Sequence, residues 1–151
     1  MTRRLLLRAL GVLGLAAGAG ARLDAQAPKP SASSEKIVWY FYRVKWGFQA
    51  EFEDLFRRNH WPVLMEGQKR GRISAVKVYV PTYHGDGRAD WTFAVEIRFR
   101  SVEAFVGPSG DEEITKQLYP DQAKFRREEQ RRFEILDAHW DVPLTEQGMV
   151  P

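Results

Sequence analysis

Two tyrosines, Tyr40 and Tyr42, alternate along the segment "KIVWYFYRVKWG", and the tetrad Asn59-His60-Trp61-Pro62 interrupts an amphipathic stretch downstream. Imidazole is the side chain that titrates nearest neutral pH, so His60 is a candidate acid or base. A phenol such as that of Tyr42 can donate or orient, which makes His60 and Tyr42 a minimal proton-transfer pair. In this reading Asn59 holds an oxyanion, and Tyr40, Trp61 and Trp91 wall a pocket for a small apolar or aromatic molecule. The structural alternative is that His60 caps a broken helix while Trp61 and Pro62 serve packing.

No metal or cofactor is implied. Cysteine is absent, which removes thiolate sites, disulfides and cysteine nucleophiles. His60, His84 and His139 are far apart and show no helical ligand spacing. Asp86 and Asp90 in "HGDGRAD" lack the spacing and the glutamate of a calcium loop, and the segment reads as a hairpin tip.

The elements that must position these residues are set by periodicity. "KIVWYFYRVKWG" is apolar on both alternating sets, as in a strand covered on both faces. Phe48, Phe52, Leu55 and Phe56 form one stripe of a helix. Continued at about 100° per residue, that helix would place His60 well off the stripe and Trp61 towards solvent. Pro62 lacks the N–H that would bond the Arg58 carbonyl, so the expectation is a break or restart here that turns Trp61 inward. "RISAVKVYVPTY" and the alternating "WTFAVEIRFR" are strands. "SVEAFVG" is a short Ser-capped helix, residues 111–132 form a helical stretch interrupted by Pro120, and "FEILDAHWDVPL" is a last strand ended by Pro143. The order β-α-β-β-α-β is the split βαβ, ferredoxin-like α+β plan: a four-stranded antiparallel sheet with helices on one face.

Strand parity assigns side chains to faces. Val38, Tyr40, Tyr42, Val44, Val76, Val78, Val80, Trp91, Phe93, Val95, Ile97, Leu136, Ala138 and Trp140 are expected beneath the helices. Trp39, Phe41, Arg43, Lys77, Tyr79, Glu96, Arg98, Asp137, His139 and Asp141 are expected on the other face. On that face Arg43, Glu96, Arg98, Asp137 and His139 would form either a carboxylate–histidine base or an ion-pair network. Because helices cover one face only, the second is expected to pack against another copy, giving a two-fold homodimer.

The ends of the chain carry their own signals. A basic start, an apolar run from about Leu5 to Ala21 and Ala25-Gln26-Ala27 make residues 1–25 a signal peptide, with cleavage after Ala21, Ala25 or Ala27. "TRRLLLR" is also similar to a twin-arginine signal. Residues 26–35 are a Pro/Ser/Ala linker, residues 36–143 the folded domain and residues 144–151 a tail. Loss of Arg3, Arg4, Arg8, Arg22 and Asp24 takes the formal charge from +3 to zero, which removes the electrostatic case for nucleic acid. The expectation is an exported protein, periplasmic or extracellular, with no membrane association once the signal is removed.

"Tyr-x-Arg-Val-Lys-x-Gly-x-x-x-x-Phe", "HWPVL" and "DWTFAVEIRFRSVEAF" together resemble the dimeric α+β barrel superfamily over residues 36–142. Relatives so implied include antibiotic-biosynthesis monooxygenases, stress-responsive barrel proteins and NIPSNAP-like proteins. The resemblance implies a homodimer and leaves two classes of function open. One is a ligand binder or an envelope or stress protein without catalysis. The other is a cofactor-independent oxygenase or polyketide-type cyclase that uses pocket His, Tyr, Trp and Asn residues.

Overall fold

β-branched and aromatic residues build the four strands, and each pairs with its neighbour antiparallel. The computed structural model describes residues 35–82 and 90–147, so the segment expected to be a signal peptide and His84 lie outside the described residues. The elements are β1 (Lys36–Val44), α1 (Gln49–Leu55), a π-helical turn (Phe56–His60), α2 (Trp61–Lys69), β2 (Ile73–Tyr79), β3 (Phe93–Phe99), α3 (Val102–Val106), α4 (Asp111–Leu118), α5 (Gln122–Glu134) and β4 (Leu136–Leu144). The sheet order is β2-β3-β1-β4, the ferredoxin-like arrangement expected from the element order.

The core lies between the sheet and the helices. Val38, Tyr42 and Val44 of β1 meet Phe93, Val95, Ile97 and Phe99 of β3 beneath Phe52, Leu55, Phe56 and Leu64. Phe52 is fully buried, and rings of Tyr42, Phe56 and Phe93 surround it. Truncating such a residue costs about 3–5 kcal/mol. Ser101 caps α3 by accepting from the Ala104 N–H at 3.2 Å, as expected. Asp121 caps α5 just after Pro120, accepting from the Lys124 N–H at 2.9 Å.

Three expectations are corrected. First, the chain does not break at Pro62. Helical dihedrals run through His60 and Trp61, and the Trp61 N–H reaches back five residues to the Phe56 carbonyl. The π turn inserts one extra residue into the helix, which rotates the downstream turns by about 100°. Trp61 thereby packs against the core without a break.

Second, Pro143 lies inside β4, opposite Val38. β4 is an edge strand, where a missing N–H at the free edge costs nothing. Third, the faces of β4 invert. The register skips Asp137, so Leu136 pairs with Val44 and packs against the core while Ala138 pairs with Arg43. From there Trp140 lies opposite Phe41 on the outer face, and His139 lies opposite Tyr42 beneath the helices. A similar skip at Ser74 in β2 lets Ile73 and Val76 both face the helices.

Candidate functional site

Tyr40 and Tyr42, two residues apart on β1, project to one face beneath α2. The π turn brings His60 over them. All three line a cavity of about 240 Å³. Val63, Leu64 and Gly67 of α2 form its roof, and Ile73, Val95, Ile97 and Phe99 form its floor. Phe105, Arg72 and Asp111 close one side. An apolar cavity of about 150 Å³ holds a benzene ring, so this volume suits a small aromatic molecule. Gly67 keeps the roof low: a Cβ there would lie 3.2 Å from Ile73 Cδ1.

The polar groups are tuned towards neutrality. Burial pushes the phenols of both Tyr40 and Tyr42 up to about 12, with Asp141 adding to the effect on each and Arg132 opposing it at Tyr42. Both are hydroxyl donors at any physiological pH. Burial, followed by the charge of Arg132, pushes His60 down to about 3, with Asp111 opposing the shift and His139 adding to it. His60 is therefore a neutral imidazole, whose ring nitrogens can donate one hydrogen bond and accept another. The ordinary histidine pKa on which its candidacy as acid or base rests does not apply here.

Arg132 on α5 supplies that charge. It is 2% exposed and grips Glu129 through two hydrogen bonds, from Nε at 3.1 Å and Nη2 at 2.7 Å. Its guanidinium lies 4.6 Å over the Phe133 ring and 6.0 Å from the rings of Phe52 and Phe56. Its Nη1 is buried without a hydrogen-bond partner. Glu129 Oε2 also comes within 3.8 Å of His60 Nδ1, beyond hydrogen-bond length.

The remaining candidates go elsewhere. Asn59 is 2% exposed and donates its amide to Glu128 on α5 at 3.0 Å, away from the cavity. Trp61 lines a separate groove of about 360 Å³ with Glu53, Phe56, Arg57, Val78, Val80 and Phe93. Trp91 precedes β3, free of strand parity, and its ring lies 5.8 Å from Phe41 on the outer face. Of the two arrangements expected for that face, the carboxylate–histidine base does not assemble and an ion pair does. Glu96 instead accepts from Tyr79 at 2.8 Å and Arg98 at 2.6 Å, and although burial opposes it these bonds hold the carboxyl below its ordinary range. His139, on the helix side, stacks on Tyr42 at 4.3 Å and places Nδ1 3.0 Å from the Phe41 carbonyl and Nε2 3.1 Å from Asp141.

Sequence reasoning missed Arg72, Asp111 and Arg132. Arg72 immediately precedes β2, donates to the Ala104 carbonyl at 3.0 Å and faces Asp111 at 4.0 Å. Arg132 reads as one more solvated charge in "KFRREEQRRFE", and only its place on the apolar side of α5 distinguishes it. Among the described residues no three His, Asp or Glu side chains gather as a metal-ligand set. Nor is any described helix long and apolar enough to cross a membrane.

No family model matches the sequence, and no curated protein is significantly similar to it. Solved structures share the fold. A hypothetical protein of Arabidopsis thaliana is 14% identical with a TM-score of 0.51, over 78% of this chain and 93% of that one. A NIPSNAP family protein of Agrobacterium tumefaciens is 14% identical with a TM-score of 0.48, over 78% and 90%. A variant of a cofactor-independent oxygenase of Streptomyces nogalater is 15% identical with a TM-score of 0.44, over 80% and 99%. At these identities the likeness is one of fold: a ferredoxin-like α+β domain, as the strand order states independently.

Proposed function

We propose that the mature protein is an exported homodimer that binds a small apolar or aromatic ligand in the cavity beneath α2. The observation that carries this reading is that Tyr40, Tyr42 and neutral His60 line one cavity whose remaining walls are apolar except for Arg72 and Asp111. Apolar walls with a few convergent polar groups are the usual make-up of a small-molecule site. The second reading, a cofactor-independent oxygenase or cyclase with His60 as acid or base, is the weaker one. A group held at about 3 has little basicity to offer near neutral pH.

The test is a fluorescence titration of purified mature protein with 2-naphthol and naphthalene, beside His60→Ala. Saturable binding to the wild type, weakened about tenfold by His60→Ala with the fold unchanged by circular dichroism, supports the site. Equal binding by both proteins removes His60 from it, and no binding by either refutes the cavity as a ligand site. Export is checked by N-terminal sequencing of the protein recovered from periplasm or medium. Retention of Met1 there would overturn cleavage within residues 21–27.

A further inference from the structure

Had the helix stayed α-helical through residue 60, His60 would lie about 80° from the stripe formed by Phe52, Leu55 and Phe56, taking about 100° per residue. The π turn removes that offset and swings His60 over Tyr40 and Tyr42. Such a turn is inherently unfavourable: it widens the backbone and leaves carbonyls without their usual donors. Here Pro62 worsens the deficit, because the N–H that would serve the Arg58 carbonyl in α-helical spacing does not exist.

A donor comes from outside the helix. The Tyr119 hydroxyl, just beyond α4, lies 3.0 Å from the Arg58 carbonyl and 2.8 Å from the Asn59 carbonyl. Tyr119 is itself held in place. Its ring stacks on Phe125 at 4.5 Å, and its carbonyl accepts from Gln122 Nε2 at 2.6 Å. Burial and the nearby Glu129 and Glu128 raise the Tyr119 phenol, so it stays protonated and able to donate. Glu128 adds a second tie to the turn through Asn59.

We propose that Tyr119 is the positioning residue of the cavity: its hydroxyl holds the π turn in the register that carries His60 over Tyr40 and Tyr42. The effect on binding rests on the ligand-site reading above, whereas the effect on His60 does not. Tyr119→Phe removes only the hydroxyl and keeps the stack on Phe125. In the unliganded full chain, an NMR titration of His60 should move from about 3 in the wild type towards the ordinary histidine range in Tyr119→Phe. Pro62→Ala, which restores an N–H able to serve Arg58 in α-helical register, should move it the same way. With 2-naphthol as probe, Tyr119→Phe should lose about tenfold in affinity and lose nothing further in a His60→Ala background.

An unchanged His60 titration in both variants overturns the proposal, as does the same fold-loss with and without His60. If the wild type binds no 2-naphthol, the ligand reading fails and the His60 titration alone decides the role of Tyr119.

Discussion

Glu129 and Arg132 form an ion pair whose partners are buried to different depths, and that difference predicts an asymmetry on mutation. The Arg132 side chain is 2% exposed and Glu129 is 19% exposed. Removing Glu129 leaves a guanidinium among Phe52, Phe56 and Phe133 with no counter-charge, and stranding a buried charge costs about 3–5 kcal/mol. Removing Arg132 leaves a carboxylate with a path to water. Methionine can also fill the vacated space with an apolar chain against the same rings. Arg132→Met should therefore cost at most about half as much as Glu129→Ala, and the double variant less than the two losses added.

Urea denaturation of the three variants and the wild type, followed by circular dichroism, measures this directly. The same proteins carry a second readout. Arg132 depresses His60, whereas the Glu129 carboxylate 3.8 Å from it can only favour the protonated ring, so the His60 titration should rise in Arg132→Met and not rise in Glu129→Ala where that variant remains folded. An Arg132→Met loss equal to or larger than the Glu129→Ala loss would mean that the charge is less buried than it looks. The contribution of Arg132 to the neutrality of His60 would fail with it, leaving burial, the larger cause, untouched.

Two further outcomes are expected. His60 binds its proton in the unfolded chain near 6.5 but in the folded protein only near 3. The unfolded state therefore holds more protons between these values, and stability should fall as pH drops from 6.5 to 3, by well under about 1.4 kcal/mol per pH unit because solvent reaches a side chain that is 32% exposed. Between pH 6.5 and 5, above the carboxylate range, His60→Gln should flatten the midpoints of urea melts run at stepped pH; an unchanged slope would contradict the burial of His60. The homodimer, for its part, should use the outer sheet face, where Trp39 stacks on Tyr79 at 4.9 Å and on Phe41 at 5.7 Å, and Phe41 on Trp140 at 5.6 Å. Sedimentation should give a dimer at micromolar concentration and a monomer for Trp39→Glu, and a monomeric wild type would refute the use of this face.

The architecture was legible because it rests on signals that survive without tertiary context. Alternation in "WTFAVEIRFR", the apolar run of β1 and the stripe Phe52, Leu55, Phe56 each set one element, and their order leaves few topologies open. The parity of β4 was not legible, for a physical reason. Large aromatic residues lie on both faces of this sheet, so hydrophobicity cannot say which set of an edge strand points inward. The choice falls to hydrogen-bond register, and a skipped residue such as Asp137 reverses it from that point on. His139 changed faces for that reason, which leaves Glu96 to the ion pair with Arg98 and removes the alternative of a base on that face.

The candidate site divides along the same line. Tyr40 and Tyr42 could be placed together because strand parity within β1 is local. His60 could be placed only by knowing how the chain satisfies its backbone around Pro62, and two solutions fit the sequence equally well. A break would free the carbonyls into solvent, whereas a π turn keeps the helix continuous and needs a donor from elsewhere. That donor is Tyr119, about 60 residues away along the chain, and no local signal in "QLYPDQAKF" ties it to Arg58. The odd placement of Trp61 did carry the information. An indole on the solvent side of a straight helix implied that the helix was not straight, and one inserted residue answers that objection for Trp61 and His60 together.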